Sequence, residues 1–346
     1  MKILITGIAG LLGSNLAKWI LDNTDDDLIG VDDLSCGAWG NIPLGVRWRK
    51  IHLGGDSDLL DELVADERPD VVYHFAAYAA ECLSPFVRRY NYQNNLLATA
   101  EVVNACINHG VRRLVFTSSM AVYGQGRAPF HEDDHCDPID PYGNAKLACE
   151  RDIRIAGEQH GLEWCILRPH NVYGPGQSLR QRYRNVFGIW MDRHLGGQSL
   201  RIYGDGRQQR AFSYIGDIVA PLYRAGEKPE AAGQVINLGG SQPIAILDAA
   251  NVLREVMGGG RLEFCEPRHE VRQAWCTTAR SEMLLGYEDR TGLAGGLTRM
   301  YSWAFQHDHV TGTLPEIEVP AGLPSYWRSV GRRSDPVDQP CHSRGP

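Results

Sequence analysis

Tyr142 and Lys146 stand four residues apart in Tyr-Gly-Asn-Ala-Lys, and on a helix that spacing puts a phenol and an ammonium on one face. A phenol with a pKa of about 10 is a poor base at neutral pH. A cation beside it favours the phenolate and brings it toward the range in which general-base catalysis works. Upstream, Phe116-Thr117-Ser118-Ser119 continues the apolar run Leu114-Val115-Phe116 and offers hydroxyls where a strand should end. Tyr-x-x-x-Lys alone recurs by chance. The hydroxyls give it weight, because ligands of open α/β sheets bind beyond the carboxyl ends of the strands.

A second group of residues suits a nucleotide. Thr6-Gly7-Ile8-Ala9-Gly10-Leu11-Leu12-Gly13 follows the first apolar run and opens a helical pattern, the context in which glycines let the backbone approach a pyrophosphate. The charge of that ligand meets the positive end of the helix. Asp32 follows about 20 residues later, at the end of a second strand, where a carboxylate accepts hydrogen bonds from ribose hydroxyls. With that negative charge and no arginine between residues 14 and 46, NAD is expected rather than NADP. Asp33 is the alternative ligand or a turn residue. Asp56, in Gly-Gly-Asp-Ser after a third strand, could reach adenine or cap a helix.

The elements that must hold these residues alternate. Ile3–Ile5, Leu28–Val31, Val71–Phe75, Leu114–Phe116 and Cys165–Leu167 are short apolar runs, as expected of strands covered on both faces. Helical patterns over 12–22, 58–65, 90–109 and 143–160 lie between them. The expected fold is α/β, a Rossmann-type doubly wound parallel sheet with a smaller C-terminal substrate-binding lobe. Residues 1–170 should form the NAD-binding domain and 171–313 mainly the lobe, with some segments returning to the sheet. Helices are expected in that half near 184–195, 216–225, 246–257 and 291–306. The tail 314–346, rich in proline and lacking periodicity, is expected to be mobile. The 90–109 pattern is apolar on most of its circumference, which fits burial within the chain or a helix–helix contact in a homodimer.

Composition bounds the partners. With 42 acidic against 35 basic residues the net charge is −7, so neither nucleic acid nor an anionic membrane surface is favoured. Nothing approaches a membrane span, and the N-terminal residues lack a leader pattern, so a cytoplasmic location is expected. The nine cysteines show no zinc spacing and are expected to be reduced core thiols.

Six segments together resemble the extended short-chain dehydrogenase/reductase family, and within it the UDP-glucose 4-epimerase group. They are the glycine turn, His74-Phe75-Ala76-Ala77, Asn94-Asn95, Ser118-Ser119, Tyr142 with Lys146, and Arg168-Pro169-His170-Asn171-Val172-Tyr173-Gly174-Pro175. The resemblance spans about residues 1–306 and implies an NAD-dependent 4-epimerase of a UDP-hexose. In that reading Tyr142 is the catalytic base, Lys146 binds the nicotinamide ribose and lowers the phenol pKa, and Ser119 bonds the reacting hydroxyl. Gly7, Gly10, Leu11, Leu12, Gly13, Asp32, Asp33, Asp56, Ser57, Phe75, Ala76, Ala77, Asn94, Ser118 and Pro169 would complete the NAD site. Asn171, Arg210 and Arg268 match positions that hold the diphosphate; Met120 and Ala121 would border the sugar. Trp275 falls at a position that gates the C2 and C6 substituents, and its bulk should disfavour N-acetylhexosamines.

The departures from the family pattern narrow the chemistry. Family members that dehydrate or decarboxylate the sugar carry an acid after the catalytic hydroxyl, where this chain has Met120-Ala121. A family lysine near the cofactor is replaced by Ala79, with Tyr78 or Glu81 to fill the space. Arg180 could pair with a C6 carboxylate, which keeps UDP-glucuronate as the alternative substrate. Arg182 and Arg184 are expected to be solvated surface charges. A non-catalytic NAD-binding sensor is the rival from another class.

Overall fold

The computed structural model describes residues 1–180, 185–268, 270–307, 313 and 315–324. In chain order the first half forms β1 (Lys2–Thr6), α1 (Leu11–Asn23), β2 (Asp27–Asp32), β3 (Arg47–Lys50), α2 (Ser57–Glu67), β4 (Val71–His74), α3 (Arg88–Tyr92), α4 (Ala98–Asn108), β5 (Arg113–Thr117), α5 (Pro141–His160) and β6 (Glu163–Pro169). There follow β7 (Val172–Tyr173), α6 (Val186–Leu195), β8 (Leu200–Tyr203), β9 (Gln209–Ala211), β10 (Ser213–Tyr214), α7 (Ile215–Glu227) and β11 (Gln234–Leu238). The chain continues through β12 (Pro243–Ala245), α8 (Ile246–Val256), β13 (Leu262–Cys265), β14 (Gln273–Ala274), α9 (Ala279–Leu285) and α10 (Leu293–Gln306).

Seven parallel strands in the order β11-β6-β5-β4-β1-β2-β3 make the central sheet. Ile3 of β1 lies opposite both Leu28 and Val71. The strand order reverses between β1 and β4, and the crevice at that switch point is where a ligand belongs. Both faces are covered, which is why β1, β4 and β5 are nearly continuous apolar runs. One face packs Leu60, Val64, Val102, Cys106, Cys149 and Ile153. The other packs Leu16, Ile20, Ile218, Leu222 and Leu285. A third core, with Phe187, Trp190, Ile202, Leu253 and Met300, belongs to the lobe. Segments 215–227 and 234–238, although late in the chain, lie in the sheet layers: α7 against α1, and β11 beside β6.

The pattern at 90–109 is interrupted. A π-helical turn over Gln93–Leu97 separates α3 from α4. Side chains bond to carbonyls in and around it: Asn95 Nδ2 donates to the carbonyls of Asn91 and Tyr78, and Thr99 Oγ1 donates to the Asn95 carbonyl at 2.7 Å. Most of the apolar circumference of α4 is covered within the chain, while Leu97 remains half-exposed.

Residues 315–324, included in the stretch expected to be mobile, instead lie against α3. The Glu318 carboxylate accepts from the backbone N–H of Arg89 and Tyr90 at 2.8 and 2.9 Å, and Leu323 is buried with Leu83 and Val87. A short anchored segment needs only these few bonds and contacts, which no periodicity announces. Among the described residues no helix is long and apolar enough to cross a membrane. The eight described cysteines are unpaired.

Candidate active site

A cavity of about 470 Å³ runs along the carboxyl ends of the strands. Its floor at one end is the glycine turn. Gly7 has φ +73°, and a Cβ there would come 2.7 Å from the Ala76 nitrogen. A Cβ on Gly13 would press into the Gly7 carbonyl and lie 2.8 Å from Ile8 Cα. Only glycine allows this approach of turn, helix and β4 loop. No side chain caps α1, and its first turn, Leu11-Leu12-Gly13, lines the cavity. Its first N–H groups are therefore left for an anionic ligand, so the cradle fits a dinucleotide pyrophosphate.

Asp32 and Asp33 both line the cavity but are held differently. Asp32 is buried, and its carboxylate accepts from the N–H groups of Ala9 and Leu34 at 2.9 and 2.8 Å. Asp33 accepts from the Ser35 N–H and pairs with His52 Nδ1, each at 2.8 Å. Burial works to raise the Asp33 carboxyl, but the hydrogen bonds from Ser35 and His52 outweigh it and hold the group below its usual range. Phe75, Ala76, Ala77, Asn94, Ser118 and Pro169 also line the cavity. Asp56 and Ser57 do not: the Asp56 carboxylate accepts from the His52 N–H at 2.9 Å and closes its own loop. Asp56 occupies the N-cap position of α2 without making a side-chain cap bond.

Tyr142, Lys146 and Ser119 meet on one wall. Asp140 caps α5 by accepting from the Gly143 N–H at 2.9 Å, Pro141 opens the helix, and Gly161 with φ +73° ends it. A cap of this kind stabilises a helix by about 1 kcal/mol and here fixes the turn that carries the phenol. Lys146 is 2% exposed, donates to the Thr117 carbonyl at 2.8 Å, and sits 6.0 Å from the Tyr142 ring centroid. Burial pulls its pKa down to about 8, so it still carries its proton at neutral pH. Ser119 Oγ accepts from the Ala121 N–H, and its hydroxyl proton has no acceptor among the described residues. Ser118 faces inward: its Oγ donates to Glu150, which forms a bidentate pair with Arg168 at 2.9 and 2.7 Å. Lys146 and Glu150 are also four apart, a spacing that places the carboxylate one turn further along the same face of α5.

The other end of the cavity is less uniform. Asn171, with φ +45°, lines the cavity and donates from Nδ2 to the Ala211 carbonyl. Arg210 and Arg268 line it as well. Arg210 pairs with Glu270 at 3.0 Å, and the Arg268 guanidinium lies 3.2 Å from the Tyr203 ring centroid. Glu270, Gln208 and Tyr203 line the cavity without having been singled out in the sequence; Glu270 could have been found as the acid two residues after Arg268. Met120, Ala121, Arg180 and Trp275 do not line it. Met120 packs against the cluster of Val122, Tyr123, Phe130 and Cys276, and the Trp275 carbonyl accepts from the Phe130 N–H. Arg180 is exposed, 3.7 Å from the likewise accessible Asp192 of α6, and that carboxylate takes the place of the expected ligand partner. Arg182 and Arg184 lie outside the described residues.

A doubly wound sheet whose switch point holds a glycine cradle, a buried carboxylate and a Ser/Tyr/Lys constellation defines a dinucleotide-dependent enzyme of the short-chain type. Residues 3–239 match the model of the NAD-dependent epimerase/dehydratase family, and the chain belongs to that family, whose cofactor is NAD. It is 31% identical to an uncharacterised UDP-glucose epimerase of Bacillus subtilis over 86% of this chain and 96% of that one. The fold matches the UDP-glucose 4-epimerase of Thermotoga maritima, solved with UDP-glucose, at 28% identity and TM-score 0.83, covering 88% of this chain and 99% of that one. It also matches the UDP-glucuronic acid 4-epimerase of Bacillus cereus, solved with UDP-glucuronic acid and NAD, at 30% identity and TM-score 0.81 with the same coverage.

Proposed function

We propose that the protein is a homodimeric NAD-dependent 4-epimerase of a neutral UDP-hexose, interconverting UDP-glucose and UDP-galactose. The observation that carries this reading is the convergence of Ser119, Tyr142 and Lys146 on the cavity that also contains the glycine cradle and Asp32. Bound NAD supplies a hydride acceptor that later returns the hydride. Tyr142 takes the proton from the sugar O4 as C4 is oxidised and gives it back when C4 is reduced from the other face. Lys146 stabilises the phenolate, and Ser119 orients O4. Asn171, Arg210 and Arg268 would hold the diphosphate while the keto sugar turns, with the Glu270 partner of Arg210 giving way to the phosphate.

Absence of an acid at Met120-Ala121 favours this plain sequence over dehydration or decarboxylation. The uronate alternative drew on Arg180, whose exposed pairing with Asp192 favours the neutral sugar. Half-exposed Leu97, in the π turn before α4, and Ile155, on α5, support a dimer contact along this side. The test is to incubate the purified protein with UDP-galactose and follow the C4 epimer. Formation of UDP-glucose without added cofactor is expected, because NAD is regenerated in each cycle. No epimer, with NAD bound and the nucleotide sugar bound, would turn the reading toward a sensor.

A further inference from the structure

Ser119 caps a 3₁₀ turn, Met120–Tyr123, and one buried ion pair holds the segment 118–123 at both ends. The pair is Glu150 of α5 with Arg168 of β6, 0% and 2% exposed. At one end the Glu150 carboxylate accepts from Ser118 Oγ. At the other, Arg168 Nη1 donates to the Tyr123 hydroxyl at 2.9 Å, which donates in turn to Asn237 Oδ1 at 2.7 Å. Arg168 Nε and Nη2 reach the two Glu150 oxygens at 2.9 and 2.7 Å. Lys146, one turn back on α5, donates to the Thr117 carbonyl, so α5 grips the strand end at two residues directly before Ser119. There is little slack between turn and helix: a Cβ on Gly143, next to Tyr142, would come 2.7 Å from the Ala121 carbonyl.

From this placement we infer that Glu150 is a positioning residue of the reaction, setting where Ser119 stands relative to Tyr142 and Lys146. The inference rests on the epimerase reading above and adds to it a group outside the reacting set. Ser118, Ser119, Tyr142 and Lys146 line the active-site cavity, and Glu150 acts on it through them. A buried ion pair adds little net stability over an apolar pair of the same volume, because desolvation offsets the attraction. What it does fix is geometry, since two guanidinium N–H groups and one hydroxyl must all point at one carboxylate. Misplacing a reacting group by about 1 Å can cost about 10²-fold in rate, so a clamp at this place acts on turnover.

Charge acts in the same direction. Burial pulls the Lys146 pKa down to about 8; Cys149 and the Glu150 carboxylate oppose that fall and help keep the ammonium protonated. Arg154, one turn further along α5, approaches the same carboxylate at 3.6 Å. Three variants separate positioning from a plain structural role. Glu150→Gln keeps the shape, but a carboxamide has one acceptor oxygen and cannot satisfy all three donors that converge on the carboxylate. Ser118→Ala removes one grip and leaves the ion pair in place. The double variant tells whether Ser118 acts through Glu150.

The experiment measures thermal unfolding, retention of NAD, kcat and KM for UDP-galactose, and the single-turnover reduction of bound NAD, in wild type and the three variants. Glu150→Gln should lower kcat and the single-turnover rate together by about tenfold to a hundredfold, with KM changed by less than about threefold. Ser118→Ala should lower kcat by about threefold to tenfold, the scale of one hydrogen bond, with NAD retained. The double variant should fall no lower than Glu150→Gln alone, because both changes release the same grip. An unchanged kcat in folded Glu150→Gln, or losses that multiply in the double variant, overturns the role of Glu150 and leaves the epimerase reading intact. If Glu150→Gln does not fold, Ser118→Ala decides, and an unchanged kcat or a change confined to KM overturns the role. Failure of wild type to epimerise UDP-galactose overturns the epimerase reading. Crystal structures of wild type and the single variants then decide the clamp: Ser119 should move relative to Tyr142 by about 1 Å, and an unmoved Ser119 overturns it.

Discussion

The two ends of the cavity are built on different principles. The cofactor end is made of backbone, contributed by the β1–α1 turn and the neighbouring β4 loop, where side chains must be absent. The end assigned to the sugar in the proposed reading is made of side chains from the β4–α3 loop, α5, β9 and the loop after β13, and acidic and basic groups face one another there. Gly7 and Gly13 have no room for a Cβ, whereas Arg210 pairs with Glu270. A backbone cradle binds one fixed shape, a pyrophosphate. A set of opposed charges can be retuned by one substitution.

The comparison breaks most sharply at the wall where the two ends meet. Tyr142→Phe should lower kcat by about 10²–10⁴-fold, the usual contribution of a positioned acid–base group, with nucleotide-sugar affinity nearly unchanged. Single-turnover measurement of bound cofactor reduction checks this; retention of more than about a tenth of the rate would remove Tyr142 from the proton path.

At the cofactor end Asp32→Ala should weaken NAD by about tenfold to a hundredfold and relax discrimination against NADP, since the buried carboxylate is the charge a 2′-phosphate would meet. Competition between NAD and NADP for the apoprotein reads both quantities. If the preference is unmoved, Asp33, held by Ser35 and His52, becomes the discriminating carboxylate.

The smallest effect is expected from Arg180→Leu. An exposed ion pair at 3.7 Å contributes about 0–1 kcal/mol, so kcat/KM for UDP-glucose and UDP-glucuronate should each change by less than about fivefold, and equally. A selective loss on UDP-glucuronate would restore Arg180 to the sugar end and reopen the uronate reading.

Much of the cofactor end was legible in the chain because its signals are local. Glycines at 7, 10 and 13, an aspartate at 32 and alternating apolar runs each act through neighbours a few residues away, and the parallel sheet follows from strands covered on both faces. Tyr142 and Lys146 were legible for the same reason, since one helical turn relates them. The π turn at Gln93–Leu97 was not, because it depends on which carbonyls Asn95 and Thr99 find once Tyr78 is in place. Nor was the docking of 315–324, which depends on two amides at the start of α3. Arg180 and Trp275 were expected at the sugar, but neither lines the cavity: Arg180 pairs with Asp192, and the Trp275 backbone pairs with Phe130. Glu81 reaches it, beside Arg210 and Glu270, which lie well over a hundred residues away along the chain. Residue types and short spacings settle chemistry that one turn or one strand can assemble. Pairings between distant charges depend on packing, and only the folded chain decides them.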